Sequence, residues 1–235
     1  MKSITVYWSR INLPLLTSKD LLTYQPFSVY KNIKTEFKKY PSSSLLGYIQ
    51  CPASYNELKN VIGIRSDQDY NIELKEGNEN LHQLNREGHI SLRSINEKFF
   101  DINSNYIFFS DQPLEVSLLP AYLDPNDLTK NTTLLSGKYD CGKWFRPISP
   151  AYVSHKNIIN IKRGDTLYYL KFNTNKKINL VNYQFNNQLG TYLNSTMGIK
   201  NFKKFLPLKT LYNLFLEKKY NSRILKEIKN NLTGY

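Results

Sequence analysis

Ile158-Ile159-Asn160-Ile161-Lys162 and Thr166-Leu167-Tyr168-Tyr169-Leu170-Lys171-Phe172 are two runs of β-branched and aromatic residues, separated only by Arg163-Gly164-Asp165. No other stretch restricts the fold of this chain as much. Such side chains pack well on a pleated surface, and Gly164 supplies the positive φ that a tight connection needs. The segment predicts a β-hairpin. At Ile4 to Trp8, Ile4, Val6 and Trp8 alternate with Thr5 and Tyr7, predicting a strand with one buried face. Further candidate strands are Val61 to Arg65, Tyr70 to Leu74, Ile90 to Arg93, Tyr106 to Ser110, Leu114 to Leu119 and Lys177 to Gln184. Many short strands broken by turn residues predict a mainly β fold, a sandwich or a cupin-like open barrel.

Helical signals are fewer. Ser54-Tyr55-Asn56-Glu57, just after Cys51-Pro52, fits a capping box and predicts a short internal helix from Ser54 to Asn60. Gly77 to Gly88 is polar and predicts a loop. Asn12 to Ser44 has no clean period and is punctuated by Pro14, Pro26 and Pro41. Near the end, Leu208, Leu211, Tyr212 and Phe215 recur at helical spacing, as do Ile224, Leu225, Ile228 and Leu232. Pro207 suits the first turn of the former helix and Ser222 can cap the latter. The chain therefore divides into a β-rich domain over 1–185 and a basic helical C-terminal appendage over 186–235, packed on it.

The 235 residues carry a net charge of +13, unevenly placed. From Lys156 to Tyr235 there are 15 Lys and Arg against Asp165, Glu217 and Glu227, a local balance of +12. The first 155 residues are nearly neutral, at +1. Asymmetry of this kind points to a nucleic-acid or anionic-surface contact. It also arises without a partner: three Ala in the whole chain and abundant Asn, Lys, Ile and Tyr fit an AT-rich coding bias. The candidate anion contacts are Lys200, Lys203, Lys204, Arg223, Lys226 and Lys229, with Phe202 and Phe205 interleaved. No RNP, helix-turn-helix or zinc-finger pattern accompanies them.

No apolar run approaches a membrane span, and the first residues lack an apolar signal core. The expectation is a cytoplasmic protein without a membrane partner. Two cysteines, Cys51 and Cys141, are too few for a disulfide framework and read as reduced thiols.

Chemistry-bearing patterns are sparse. His82, His89 and His155 make no metal-ligand spacing with the cysteines or carboxylates, so neither a metal nor a cofactor is expected. Cys141 with His155 and Asp140 is the catalytic arrangement to test, because a thiol beside a base and the positive field of Lys143 and Arg146 becomes nucleophilic. Walker loops, dinucleotide fingerprints and nucleophile elbows are absent. The densest unusual segment runs from Tyr139 to Ile148. There Trp144 between Lys143 and Arg146 offers a stacking surface and charge for a planar or anionic ligand. The plainer reading makes Trp144 a core anchor at a sheet corner and has Arg146 satisfy buried carbonyls or a carboxylate such as Asp67. A ligand pocket on the first reading would gather Cys51, Asp67, Lys143, Trp144 and Arg146.

Cys51-Pro52, Ser66-Asp67, Lys143-Trp144-Phe145-Arg146-Pro147-Ile148, Arg163-Gly164-Asp165 and Leu225-Lys226-Glu227-Ile228-Lys229-Asn230-Asn231-Leu232 together carry a likeness. From about Gly47 onward the chain resembles uncharacterised proteins of marine tailed bacteriophages of the cyanobacterial-virus type. More remotely it resembles a bacterial domain family of unknown function. The resemblance implies a viral source and an infected host cell or virion as the setting. It implies no activity and no catalytic residue. Three functions follow as expectations. The first is a non-catalytic phage accessory or virion-associated protein that binds a protein or virion partner. The second is an enzyme with a small-molecule pocket in a cupin-like barrel. The third is a nucleic-acid binder using the basic C-terminal third.

Overall fold

The structure is a computed structural model that describes residues 3–11, 24–39, 47, 50–202, 207–217 and 219–233. Its elements in chain order begin with β1 (Ile4–Arg10), β2 (Phe27–Ser28), α1 (Val29–Lys38), α2 (Pro52–Leu58), β3 (Val61–Arg65) and β4 (Tyr70–Glu73). They continue with α3 (Glu79–Arg86), β5 (Ile90–Ser94), β6 (Phe99–Ile102), β7 (Tyr106–Ser110), β8 (Glu115–Pro120), α4 (Asp127–Asn131), β9 (Thr132–Leu134) and β10 (Lys138–Asp140). The last are β11 (Ala151–Ser154), β12 (Ile158–Ile161), β13 (Thr166–Phe172), β14 (Ile178–Asn182), α5 (Asn187–Phe202), α6 (Leu208–Glu217) and α7 (Tyr220–Asn230).

The fold is mainly β and sandwich-like, with sheets that do not close into a barrel. One sheet has the order β10-β8-β13-β3-β2 and another the order β14-β1-β7, in which β1 pairs parallel with β14 and antiparallel with β7. Strand periodicity explains how these two sheets stack. Ile4, Val6 and Trp8 of β1, and Tyr106 and Phe108 of β7, enter the same core as Ile62, Ile64, Tyr168, Leu170 and Phe172 of the other sheet. Phe108 meets Phe172 edge-on across that core, centroids 6.3 Å apart. The opposite faces are covered by helices. Tyr7, Ile107 and Phe109 pack with Leu189, Leu193, Phe215, Ile224 and Ile228 of the C-terminal helices. Val61 and Tyr169 pack with Val29, Ile33 and Leu58 of α1 and α2. The resulting layers are helix, sheet, sheet, helix. A four-stranded sheet, β5-β6-β11-β9, and the pair β12-β4 extend the central core.

Several sequence expectations change. β1 is buried on both faces rather than one, because the C-terminal helices occupy the side that Tyr7 faces. The strands β12 and β13 form where expected, but they do not pair with each other as a hairpin. Instead β13 pairs with β3 and β12 with β4. Arg65 is opposite Thr166 and Tyr70 is opposite Ile161, so the two ladders keep a common register on either side of a corner, with a bulge just beyond it between Thr166 and Tyr168. β3–β4 and β12–β13 are thus two bent strands of one long ribbon. At the corner the Gly164 amide donates to the Ser66 carbonyl and the Ser66 amide to the Asp165 carbonyl, both at 2.8 Å. Gly164 has the φ of 92° that the sequence anticipated.

The segment between Gly77 and Gly88 contains the helix α3, not only a loop. Asn78 caps it by accepting from the Leu81 amide, and Leu81 and Leu84, three residues apart, bind its inner side to the core. Ser54 does not cap α2: the helix begins at Pro52, behind Cys51, and Ser54 is buried inside its first turn. Ser222 likewise lies within α7, whose cap position is Lys219 at φ 53°.

Candidate functional site

The residues singled out in the sequence do not converge on one pocket. Cys141 is wholly buried in the central core, and burial pushes its thiol far above the ordinary range. Its amide donates to the Leu114 carbonyl, and its carbonyl accepts from the Ser110 amide. Asp140 serves the same turn, with Oδ1 accepting from the amides of Leu114 and Gly142 and Oδ2 lying 3.1 Å from Lys143 Nζ. His155 is exposed, with Nε2 2.9 Å from Thr133 Oγ1. The expected cysteine–histidine arrangement is therefore not assembled. A thiol in apolar surroundings, without a base beside it, is a structural group.

Trp144 is 7% exposed and packs against Phe215 of α6, centroids 6.4 Å apart. Arg146 lies over its ring at 5.5 Å. The tryptophan is a core anchor beneath the C-terminal helices, not an open stacking platform. Cys51 is exposed at the start of α2, in a different part of the fold. Gly142 is required where it stands. A Cβ there would lie 2.2 Å from the Gln112 carbonyl oxygen, so the turn carrying Cys141 and Trp144 closes only over a glycine.

Asp67 belongs to another site, at the corner of the β3–β4 ribbon. The sequence suggested Arg146 as its counter-ion; the ion pair is made by Arg10 from the end of β1, whose Nη2 lies 2.6 Å from Asp67 Oδ2. The Tyr24 amide donates to Oδ1 at 3.1 Å. Burial pushes the Asp67 carboxyl upward, an effect that Arg10 and the Tyr24 amide partly offset. Around the pair, a narrow cleft is lined by Arg65, Ser66, Tyr70, His89, Ser104 and Asn105, among others. Burial lowers the pKa of His89 and raises that of Tyr70 to about 12. Tyr106, whose hydroxyl donates to the Tyr24 carbonyl, is raised further.

The Arg65 side chain turns toward α1, with Nη2 3.5 Å from Asn32 Oδ1. Gly63, two residues earlier on the same face of β3, leaves the space that the Phe27 ring fills. The Arg65 guanidinium lies over that ring, 4.4 Å from its centroid. The Nε atoms of both Arg10 and Arg65 are buried without an acceptor among the described residues. A buried donor left unpaired costs about 1–3 kcal/mol. Sequence reasoning missed both arginines, since each ends a strand where a solvated side chain is the ordinary expectation.

The third group of candidates lies on the C-terminal layer. Ile224 and Ile228 of α7 are fully buried, while Arg223, Lys226 and Lys229 are exposed, as is Lys219 at its start. With 3.6 residues per turn, the four cations fall on an arc of roughly 120° on the side away from the two isoleucines. Glu227, the acid of this helix, turns elsewhere and accepts from the side-chain amides of Asn186 and Asn231 at 2.7 and 3.0 Å. None of the four cations forms an ion pair among the described residues. Lys200 falls within α5, and Lys203 and Lys204 lie outside the described residues.

Among the described residues, no cluster of three or more His, Cys, Asp or Glu could hold a metal ion, and no helix is long and apolar enough to cross a membrane. Comparison with known protein families, with curated proteins and with solved structures finds no match.

Proposed function

We propose that this chain is a non-catalytic binding protein that holds the phosphate backbone of a nucleic acid on the outer face of α7. The observation that carries the reading is the row of Lys219, Arg223, Lys226 and Lys229, exposed and without an acidic partner among the described residues. Like charges three and four residues apart on a helix cost about 0.2–0.5 kcal/mol per pair. Burying Ile224 and Ile228 contributes about 1.5–3 kcal/mol each, so packing outweighs the repulsion and fixes the charged face outward. Single point charges on flexible stems suit sequence-independent phosphate contact. The +12 balance after residue 155 supplies a wider field of the same sign.

The resemblance to proteins of marine tailed phages supports an accessory role in an infected cell or particle. The reading of a cysteine enzyme loses its support with Cys141 sealed in the core.

The test is fluorescence anisotropy with labelled single-stranded and duplex oligonucleotides at low ionic strength, on wild type and on Arg223→Glu/Lys226→Glu/Lys229→Glu. Affinity is expected to fall by about tenfold or more in the variant. Unchanged affinity sinks the reading. Polyglutamate that competes better than nucleic acid of equal charge would transfer the same face to an acidic protein partner.

A further inference from the structure

Independently of the basic helix, an open groove of about 450 Å3 lies between α1, the end of β3 and the segment after β8. That volume is in the range of small-molecule sites. Its apolar lining is Phe27, Val29, Ile33, Leu123 and Tyr169, all packed in one hydrophobic cluster. Three charged residues border it: Arg65, Asp124 and Glu36. Glu36 is exposed and already paired, 2.9 Å from Lys39 Nζ. Arg65 and Asp124 form no ion pair among the described residues, with each other or with any other group.

Both groups are held in place by other contacts. The Arg65 guanidinium is stacked on the Phe27 ring, 4.4 Å from its centroid, and its acceptor Asn32 Oδ1 is a distant 3.5 Å from Nη2. Stacking leaves the in-plane N–H donors of a guanidinium for a carboxylate, whose two oxygens match their fork. Asp124 Oδ2 accepts from Thr166 Oγ1, while Oδ1 has no hydrogen bond among the described residues. A fixed cation and a fixed anion therefore border one apolar groove without neutralising each other. A simple acid bound there would leave Asp124 unpaired, and a simple amine would leave Arg65 so. A compact zwitterion with an apolar body answers both.

We propose that this groove binds a free amino acid with an aliphatic side chain, its carboxylate on Arg65, its ammonium on Asp124 and its side chain against Val29, Ile33 and Leu123. Each part of the ligand can be removed separately. Glycine keeps both charges and lacks the side chain. For leucine, 4-methylpentanoate lacks the ammonium and 3-methylbutylamine lacks the carboxylate.

The experiment is isothermal titration calorimetry of the full chain with L-leucine, glycine, 4-methylpentanoate and 3-methylbutylamine at one fixed ionic strength. Wild type is expected to bind L-leucine saturably, and each of the other three about tenfold or more weakly. Asp124→Asn, which keeps an oxygen for Thr166, is expected to lose about tenfold for L-leucine and nothing for 4-methylpentanoate. Arg65→Gln should lose as much for L-leucine and nothing for 3-methylbutylamine. Because either variant could also unfold, the four ligands on wild type decide the matter by themselves. No saturable binding of L-leucine, or binding of the acid or the amine as tight as that of L-leucine, overturns the proposal.

Discussion

Arg10 Nη2 and Asp67 Oδ2 lie 2.6 Å apart, and through them the end of β1 is tied to the corner of a ribbon formed by β3–β4 and β12–β13. Asp67 is 7% exposed, so the charge it shares with Arg10 is mostly out of water. Removing one member of such a pair leaves the other buried alone. Asp67→Ala is expected to destabilise the protein by about 3 kcal/mol, measured by urea denaturation. A loss well under 1 kcal/mol would show that solvent reaches Arg10 and that the pair is a surface contact.

The Phe27 ring occupies the place of a side chain at residue 63, with Cζ 2.3 Å from where a Cβ would sit. Gly63→Ala must therefore push Phe27 aside and take the support from under Arg65. The expected cost is about 1–3 kcal/mol. Because both substitutions act on one contact, Phe27→Ala should cost less in the Gly63→Ala background than in wild type. Additive losses in this double-mutant cycle would contradict the geometry.

Much of this architecture is visible in the sequence, and the part that is not has a common cause. Val61–Arg65, Tyr106–Ser110 and Thr166–Phe172 occur as strands at the bounds their periodicity suggests. Periodicity identifies a strand but not its partner, and Arg163-Gly164-Asp165 looks like a hairpin turn from local residues alone. The actual partners, β4 for β12 and β3 for β13, lie about ninety or more residues away. The cleft was hidden for the same reason. Arg10 ends β1 whereas Asp67 sits at the β3–β4 corner, distant in sequence, and an arginine that ends a strand carries no local mark of burial. Helix α3 was hidden differently: Leu81 and Leu84 give its inner face too few apolar residues to stand out in a polar segment. The basic face of α7 was legible because one helix holds both the buried isoleucines and the cations opposite them.

Thiol chemistry separates the two cysteines. Cys51 is exposed and Cys141 buried, with its pKa raised by burial. A disulfide reagent should modify one thiol rapidly in the native protein and the second only on unfolding. Rapid native modification of Cys141, identified by mass spectrometry of Cys51→Ser, would revive a catalytic reading of the core cysteine.

His89 gives the fold a pH dependence of definite sign. Burial lowers its folded-state pKa below the unfolded value of about 6.5. The unfolded chain then binds the proton more tightly, so His89 contributes stability that is present above about pH 6.5 and lost as pH falls through the folded-state value. Asp67, raised by burial, acts in the opposite sense as its own carboxyl protonates. Denaturation midpoints should fall between pH 7.5 and 5.5 in wild type and fall less in His89→Gln. An identical fall in the two proteins would place the titration elsewhere.

The salt dependence of nucleic-acid binding tests the functional claim most directly. For a single strand, each phosphate contact contributes about −0.7 to the slope of log affinity against log salt, so four contacts give about −2.8. Changing Lys219, Arg223, Lys226 and Lys229 one at a time to Ala should make the slope shallower by about 0.7 at each step. A slope near zero in wild type, or one that the four substitutions leave unchanged, would contradict the assignment of α7 as the binding face.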